Sequence, residues 1–175
     1  MQNLNAYFQY LEDIARDHKS ILHTVAEEHF FRTDIEELEN ALRSKINFPA
    51  LAAMNPFIDG EAQALSNTRI TWRGSFLLLD QVKDKGDFVD RNNKESALLE
   101  IAKDIIQKMI NDRRNFTLPG LDISAFKMEL VPERYVPLCG VLISFSYNEP
   151  LGQFDASRWN NNPLYQPWRL LPKLK

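Results

Sequence analysis

One cysteine, six glycines and three histidines are all that this chain of 175 residues offers to the commonest kinds of protein chemistry. The single thiol, Cys139, cannot form an internal disulfide. It stands in an apolar run, where a buried, inert thiol is expected; a nucleophile there would need a histidine and an electropositive setting beside it. The glycines are scattered. No GxGxxG follows a strand pattern, and no P-loop or GxSxG occurs, which removes the usual phosphate cradles and the nucleophile elbow. His18, His23 and His29 are five and six residues apart, whereas one helix face needs spacings of about three or four. A metal site would require the fold to gather them around an added ligand, so surface or edge positions are expected and no metal or other cofactor is.

Charge of one sign is also missing. Lys and Arg number 21 against 24 Asp and Glu, for a net charge of −3 and a pI near 5.7. No basic cluster stands out, which argues against a dedicated nucleic-acid surface. No apolar run approaches the ~20 residues that a membrane helix needs. The longest, around Phe76–Leu79 and Val141–Phe145, are strand-sized. Met1–Asn5 lacks the basic region and apolar core of a leader, so a cytoplasmic protein that binds no membrane is expected.

What is present is ordinary globular material, 44% hydrophobic and 26% charged. Leu4, Phe8, Leu11, Ile14, Ala15 and His18 recur at helical spacing, with Tyr7 beside the stripe, and predict a helix over 3–19 capped by Asn3. Residues 29–33 suit a short strand. Thr33-Asp34-Ile35-Glu36 has the form of a capping box and opens a predicted helix over 34–44, limited by Pro49. A strand is expected over 48–58, interrupted near Pro56, then a turn at Asp59-Gly60. The clearest strand is 68–83, with Ile70, Trp72, Gly74, Phe76 and Leu78 on one face. It starts half exposed and ends apolar on both faces. The strongest helix is predicted over 92–113, with Ala97, Leu98, Ile101, Ala102, Ile105, Met109 and Ile110 on its stripe. Alternation at Phe126, Met128 and Leu130, and again at 138–148, predicts a hairpin.

The expected architecture is α+β: a mostly antiparallel sheet of four to five strands packed by two to three helices in residues 1–150, with an irregular aromatic arm at 151–175. The arm holds Phe154, Trp159, Tyr165 and Trp168 with no helix or strand period. Burying such side chains is worth roughly 2–3 kcal/mol each, so the arm is expected to wrap its own domain or dock on a neighbour.

Three further patterns have plainer readings. Asp84 to Glu95 has the length of a calcium loop, with Asp84, Asp87, Asp90, Asn92 and Glu95 as oxygen donors. Gly86, Phe88 and Val89 occupy positions that should hold ligands and the turn glycine, so a solvated loop with a helix cap near Asp90 is expected. Glu27-Glu28 and Glu36-Glu37-Glu39 read as solvated faces rather than acid–base pairs. Trp72, Phe145 and Tyr147 could stack bases, but only Arg69 and Arg73 lie among them, so core positions are expected.

The short helix running into "INFPAL", "ITWRGSFLLLDQV" at 70–82, "KESALLEIAKDIIQKMI" at 94–110 and "YVPLCGVLISFSYNEP" at 135–150 together resemble small proteins of prophage structural-gene clusters from Bacteroidetes-type bacteria. The element order over most of 29–150 is similar to phage tail-terminator and tail-completion proteins. That resemblance implies a non-enzymatic subunit of a ring that stops tail growth or joins tail to head. Its partners would be further copies of itself and other tail or connector proteins, in the bacterial cytoplasm or the virion. No catalytic residue is carried over. Residues 151–175 go beyond the small terminator pattern. The contact candidates are Trp72 and Arg73 on the long strand, Asp84, Asp87 and Asp90 in the loop, and Phe154, Trp159, Tyr165 and Trp168 in the arm. Two rivals stand beside this reading: a monomeric protein-binding or regulatory module with no virion role, and an enzyme built on a polar pocket, such as His18 or His29 beside Glu27 or Glu28.

Overall fold

In the computed structural model, the described residues are 3–33, 46–62, 68–84, 86–131 and 138–150. The chain is α+β. Helix α1 (Leu4–Asp17) opens it, followed by β1 (Phe30–Thr33), β2 (Ala50–Met54), β3 (Phe57–Ala62) and β4 (Thr68–Gln81). Helix α2 (Phe88–Arg114) then leads into β5 (Leu121–Leu130) and β6 (Leu138–Pro150). The predicted helix over 34–44 and the aromatic arm lie outside the described residues.

The strands form one sheet of six, one more than the upper expectation, in the order β1-β2-β4-β6-β5, with β3 beside β4. Every pairing is antiparallel except β1 with β2. The extra strand comes from the stretch read as one interrupted strand. β2 pairs with Phe76–Leu79 and β3 with Thr68–Arg73, so the two lie end to end along one edge of β4. Asp59-Gly60, expected to turn, lies inside β3, because pairing with Thr71 and Ile70 outweighs the local turn preference.

Between Ala53↔Phe76 and Phe57↔Arg73, the β2–β3 side advances four residues and β4 three. One extra residue is therefore accommodated at Asn55-Pro56, and Pro56 supplies no N–H for a ladder. Ser75 faces this break, and the Tyr7 hydroxyl fills it. It receives the Ser75 N–H at 3.2 Å and lies 3.1 Å from the carbonyl oxygens of both Ser75 and Met54, within donating reach. Gly74 lets the ring in. A Cβ there would stand 2.8 Å from Tyr7 Cε2 and 2.6 Å from Phe145 Cζ.

Both helices cover the same face of the sheet. Asn3 caps α1 by accepting the Ala6 N–H at 2.8 Å, as its sequence predicts. Its stripe of Tyr7, Phe8, Leu11, Ile14 and Ala15 is buried over β1 and β2. Leu98, Ile101, Ala102, Ile105 and Met109 of α2 cover β4, β6 and β5, meeting Val141, Ile143 and Phe145 in one continuous core. Ala97, expected on that stripe, is exposed. Tyr10 clips the helices together by donating to Asp112 at 2.9 Å, while Lys108 reaches the same carboxylate at 2.5 and 2.6 Å. A smaller cluster of Ala52, Leu77 and Leu79 lies on the sheet's other face. No described helix is long and apolar enough to cross a membrane.

Burial gives the fold an alkaline weakness. It is the main cause that pushes the phenols of Tyr7, Tyr10 and Tyr147 well above their ordinary value, with Asp112 adding to the effect on Tyr10 and Glu149 to that on Tyr147. Burial likewise pushes the Cys139 thiol up from 9.0 to about 11, with Asp80 adding to it. All four groups keep their protons more tightly in the folded state. Their contribution is therefore complete below the ordinary values and declines as pH climbs through them toward the raised ones. The urea midpoint should fall between pH 9 and pH 11, and Cys139 should react with a thiol reagent only as the chain unfolds. Rapid labelling of the folded protein at pH 8 would contradict this placement of the thiol.

Candidate interaction surface

The sheet face away from the helices is polar over much of its area. Thr71, Arg73 and Ser75 of β4 stand beside Asn148, Ser146 and Ser144 of β6, and Lys127 of β5 stands beside Ser144. A cleft of about 510 Å³ crosses this face from Asn55 and Phe57 to Ala125 and Lys127. Arg73 binds Asp59 at 2.9 Å and Lys127 binds Glu129 at 2.5 Å, so both cations are already neutralised locally. Thr71 donates to the Asn148 side chain at 2.8 Å. Such pairs at an exposed face are worth about 0–1 kcal/mol.

The edges of the sheet carry the apolar part of the surface. Phe57 and Ile58 on β3 are 64% and 50% exposed, and Met128 and Leu130 on β5 are 41% and 53% exposed. Sequence alternation marked Met128 and Leu130 as the buried half of a strand. They do point to the helix side, opposite Ile143 and Val141. An edge strand, however, has a neighbour on one side only, and this leaves them open. Among the described residues β3 pairs only with β4, and β5 only with β6. Unpaired edges with apolar side chains are templates for another strand.

No protein-family model and no curated protein matches the chain. The sequence candidates fall into three groups. Trp72 and Arg73 lie on opposite faces of β4. Trp72 is buried on the helix side, stacked on Tyr147 with ring centroids 5.7 Å apart and planes 16° apart. Its Nε1 has no hydrogen-bond partner among the described residues. Arg73 is open on the polar face. Asp84, Asp87 and Asp90 shape the entry to α2. Asp84 accepts the Gly86 N–H at 3.2 Å, Asp87 caps the helix through the Asp90 N–H at 2.9 Å, and Asp90 accepts the Lys83 N–H at 3.2 Å. The cap is Asp87, three residues before Asp90, and α2 begins at Phe88 instead of residue 92. Most of the stretch with calcium-loop length is helix. Phe154, Trp159, Tyr165 and Trp168 lie outside the described residues.

The histidines serve the segment after α1. The Nδ1 atoms of His18 and His23 accept the N–H groups of Ser20 and His29 at 3.2 and 3.1 Å. Their Nε2 atoms face Asp104 at 3.7 Å and Glu12 at 4.0 Å. A His29 ring nitrogen lies 2.9 Å from the Pro49 carbonyl oxygen. The carboxylates beside the first two rings are thus Asp104 and Glu12, not Glu27 or Glu28, which are exposed. No group of three or more His, Cys, Asp or Glu able to hold a metal occurs among the described residues.

Proposed function

We propose that this protein is a structural assembly subunit that closes into a ring by head-to-tail contacts, with the role of a tail-terminator or head–tail completion protein of a phage or prophage-derived particle. One arrangement carries the assembly reading. In the run β3-β4-β6-β5 each strand is antiparallel to the next, so the edges β3 and β5 point in opposite directions. Rotating one copy about an axis along the strands brings the β5 of the next copy antiparallel to β3. This heterologous contact can repeat until it closes. Exposed apolar side chains on both edges supply the driving force, since each would otherwise stay in water. The particle itself is proposed from the resemblance at 70–82, 94–110 and 135–150.

Light scattering over a concentration series should give a mass several times the 20.3 kDa of one chain, and electron microscopy should show rings. Addition of a tail-tube protein from the same prophage should cap tube ends. A stable monomer at every concentration, with and without that protein, would favour the alternative of a monomeric protein-binding or regulatory module.

A further inference from the structure

We infer that the ring junction is a strand pair between β3 of one copy and β5 of the next, with Ile58 opposite Met128 and Asp59 opposite Lys127. The inference rests on the self-assembly reading and specifies its contact residue by residue.

Backbone direction makes this pairing available. Ser75 turns its N–H and C=O toward the side of β4 where β2 and β3 lie, because both meet the Tyr7 hydroxyl at the break between those strands. Alternation along β4 gives Arg73 and Thr71 the same direction. Their partners Phe57 and Asp59 therefore point back at β4, and Ile58 and Gly60 present their backbone groups outward. On the other edge, the Val131 N–H donates to the Gly140 carbonyl of β6 at 2.9 Å. Glu129 and Lys127 share that inward direction, so Met128 and Leu130 present their groups outward. Antiparallel pairing needs outward residues opposite outward residues. Ile58 and Met128 satisfy this, and both side chains lie on the helix side, beside Trp72 and Ile143 respectively.

Charge then selects one register from those that backbone direction permits. Placing Ile58 opposite Leu130 would set Asp59 against Glu129, two like charges directly opposed. Placing it opposite Phe126 would use a side chain already packed against the core and leave Met128 and Leu130 uncovered. With Ile58 opposite Met128, Asp59 meets Lys127 on the polar face. The pairs Arg73–Asp59 and Lys127–Glu129 then join into one row of alternating sign. β1 flanks β2 and does not pair with β3. A two-fold β5–β5 contact also satisfies backbone direction, with Lys127 opposite Glu129. It leaves Phe57 and Ile58 in water, so the heterologous contact covers more of the open apolar surface.

The test uses the full chain with Asp59→Cys and Lys127→Cys together. In this non-hydrogen-bonded pair the Cα atoms would be about 4.5 Å apart, within the ~4.4–6.8 Å reach of a disulfide. A mild oxidant should give a covalent ladder from the double variant and none from either single variant. Mixing the two single variants should give dimers only. Cys139 stays silent because it is buried. Charge reversal is the second arm. Asp59→Lys and Lys127→Asp should each lose assembly alone and recover it when mixed, because every junction in the mixture then opposes unlike charges. An oligomer that forms no ladder, or covalent dimers from Met128→Cys alone, overturns this junction and leaves self-assembly standing. A protein that is monomeric throughout overturns both.

Discussion

Tyr7→Ala should destabilise the fold by about 4 kcal/mol, and Tyr7→Phe by about 2 kcal/mol. The two values separate what the ring does from what its hydroxyl does. The ring is fully buried between Phe8, at 5.1 Å centroid to centroid, and Phe145, at 6.2 Å. Removing it leaves a cavity at the centre of the core, and cavities left by large aromatic side chains cost the most. The hydroxyl acts on the sheet. At the Asn55-Pro56 break it serves the Ser75 N–H and lies beside the Ser75 and Met54 carbonyl oxygens. Phenylalanine keeps the packing and orphans the amide, and an unsatisfied buried donor costs about 1–3 kcal/mol. Urea denaturation of the three proteins gives both numbers. If Tyr7→Phe were as stable as the parent, water or another group would be serving the Ser75 amide, and the hydroxyl would not be closing the break.

Local chemistry explains why some of this was legible and some was not. Asn3, the spacing of α1, the strand at 68–81 and the hairpin of β5 and β6 rest on interactions within a segment or on face alternation, which a sequence displays. Tyr7 looked like a member of the α1 stripe, and it is one. Its hydroxyl acts on a strand 68 residues away, and no local pattern records that. The start of α2 was missed for a related reason. Phe88 and Val89 are 63% and 70% exposed, so the first turn adds nothing to the apolar stripe and is set by the Asp87 cap alone. The break at Asn55-Pro56 was visible through its proline, but not the separate strand after it, whose partner lies across a hairpin. The candidate surface was legible in part. Arg73 was found because charge on an otherwise apolar strand signals an open face. Phe57, Ile58, Met128 and Leu130 were not, because an edge is defined by the neighbour a strand lacks. Strand order in space decides that, and it is a property of the whole chain.

Gly120→Ala should lower stability by about 3 kcal/mol, whereas Gly60→Ala and Gly86→Ala should each stay within about 0.5 kcal/mol of the parent. The difference is in what the new methyl group meets. At Gly60 and Gly86 it meets nothing within 4 Å. At Gly120 it would stand 2.0 Å from the carbonyl oxygen of Asn148, 3.0 Å from its carbonyl carbon and 3.3 Å from its nitrogen. All three are backbone atoms, so no rotamer change relieves the clash and the strands themselves must part. The position is one where they are joined: the Asn148 N–H donates to the Gly120 carbonyl at 2.8 Å, and the Asn148 side chain accepts from Thr71. Parting them loosens the first pair of the hairpin, Leu121 with Tyr147, and with it the stack of Tyr147 on buried Trp72. Thermal melting should show a drop of roughly 6–12 °C for a chain of this size. Near-ultraviolet circular dichroism should report the altered Trp72–Tyr147 stack below the melting range. Parent-like melting together with an unchanged aromatic spectrum would mean that the two backbones do not approach so closely here. The control substitutions distinguish that result from a general tolerance of alanine for glycine, since of these three positions only 120 sets a new methyl group against main chain that cannot turn aside.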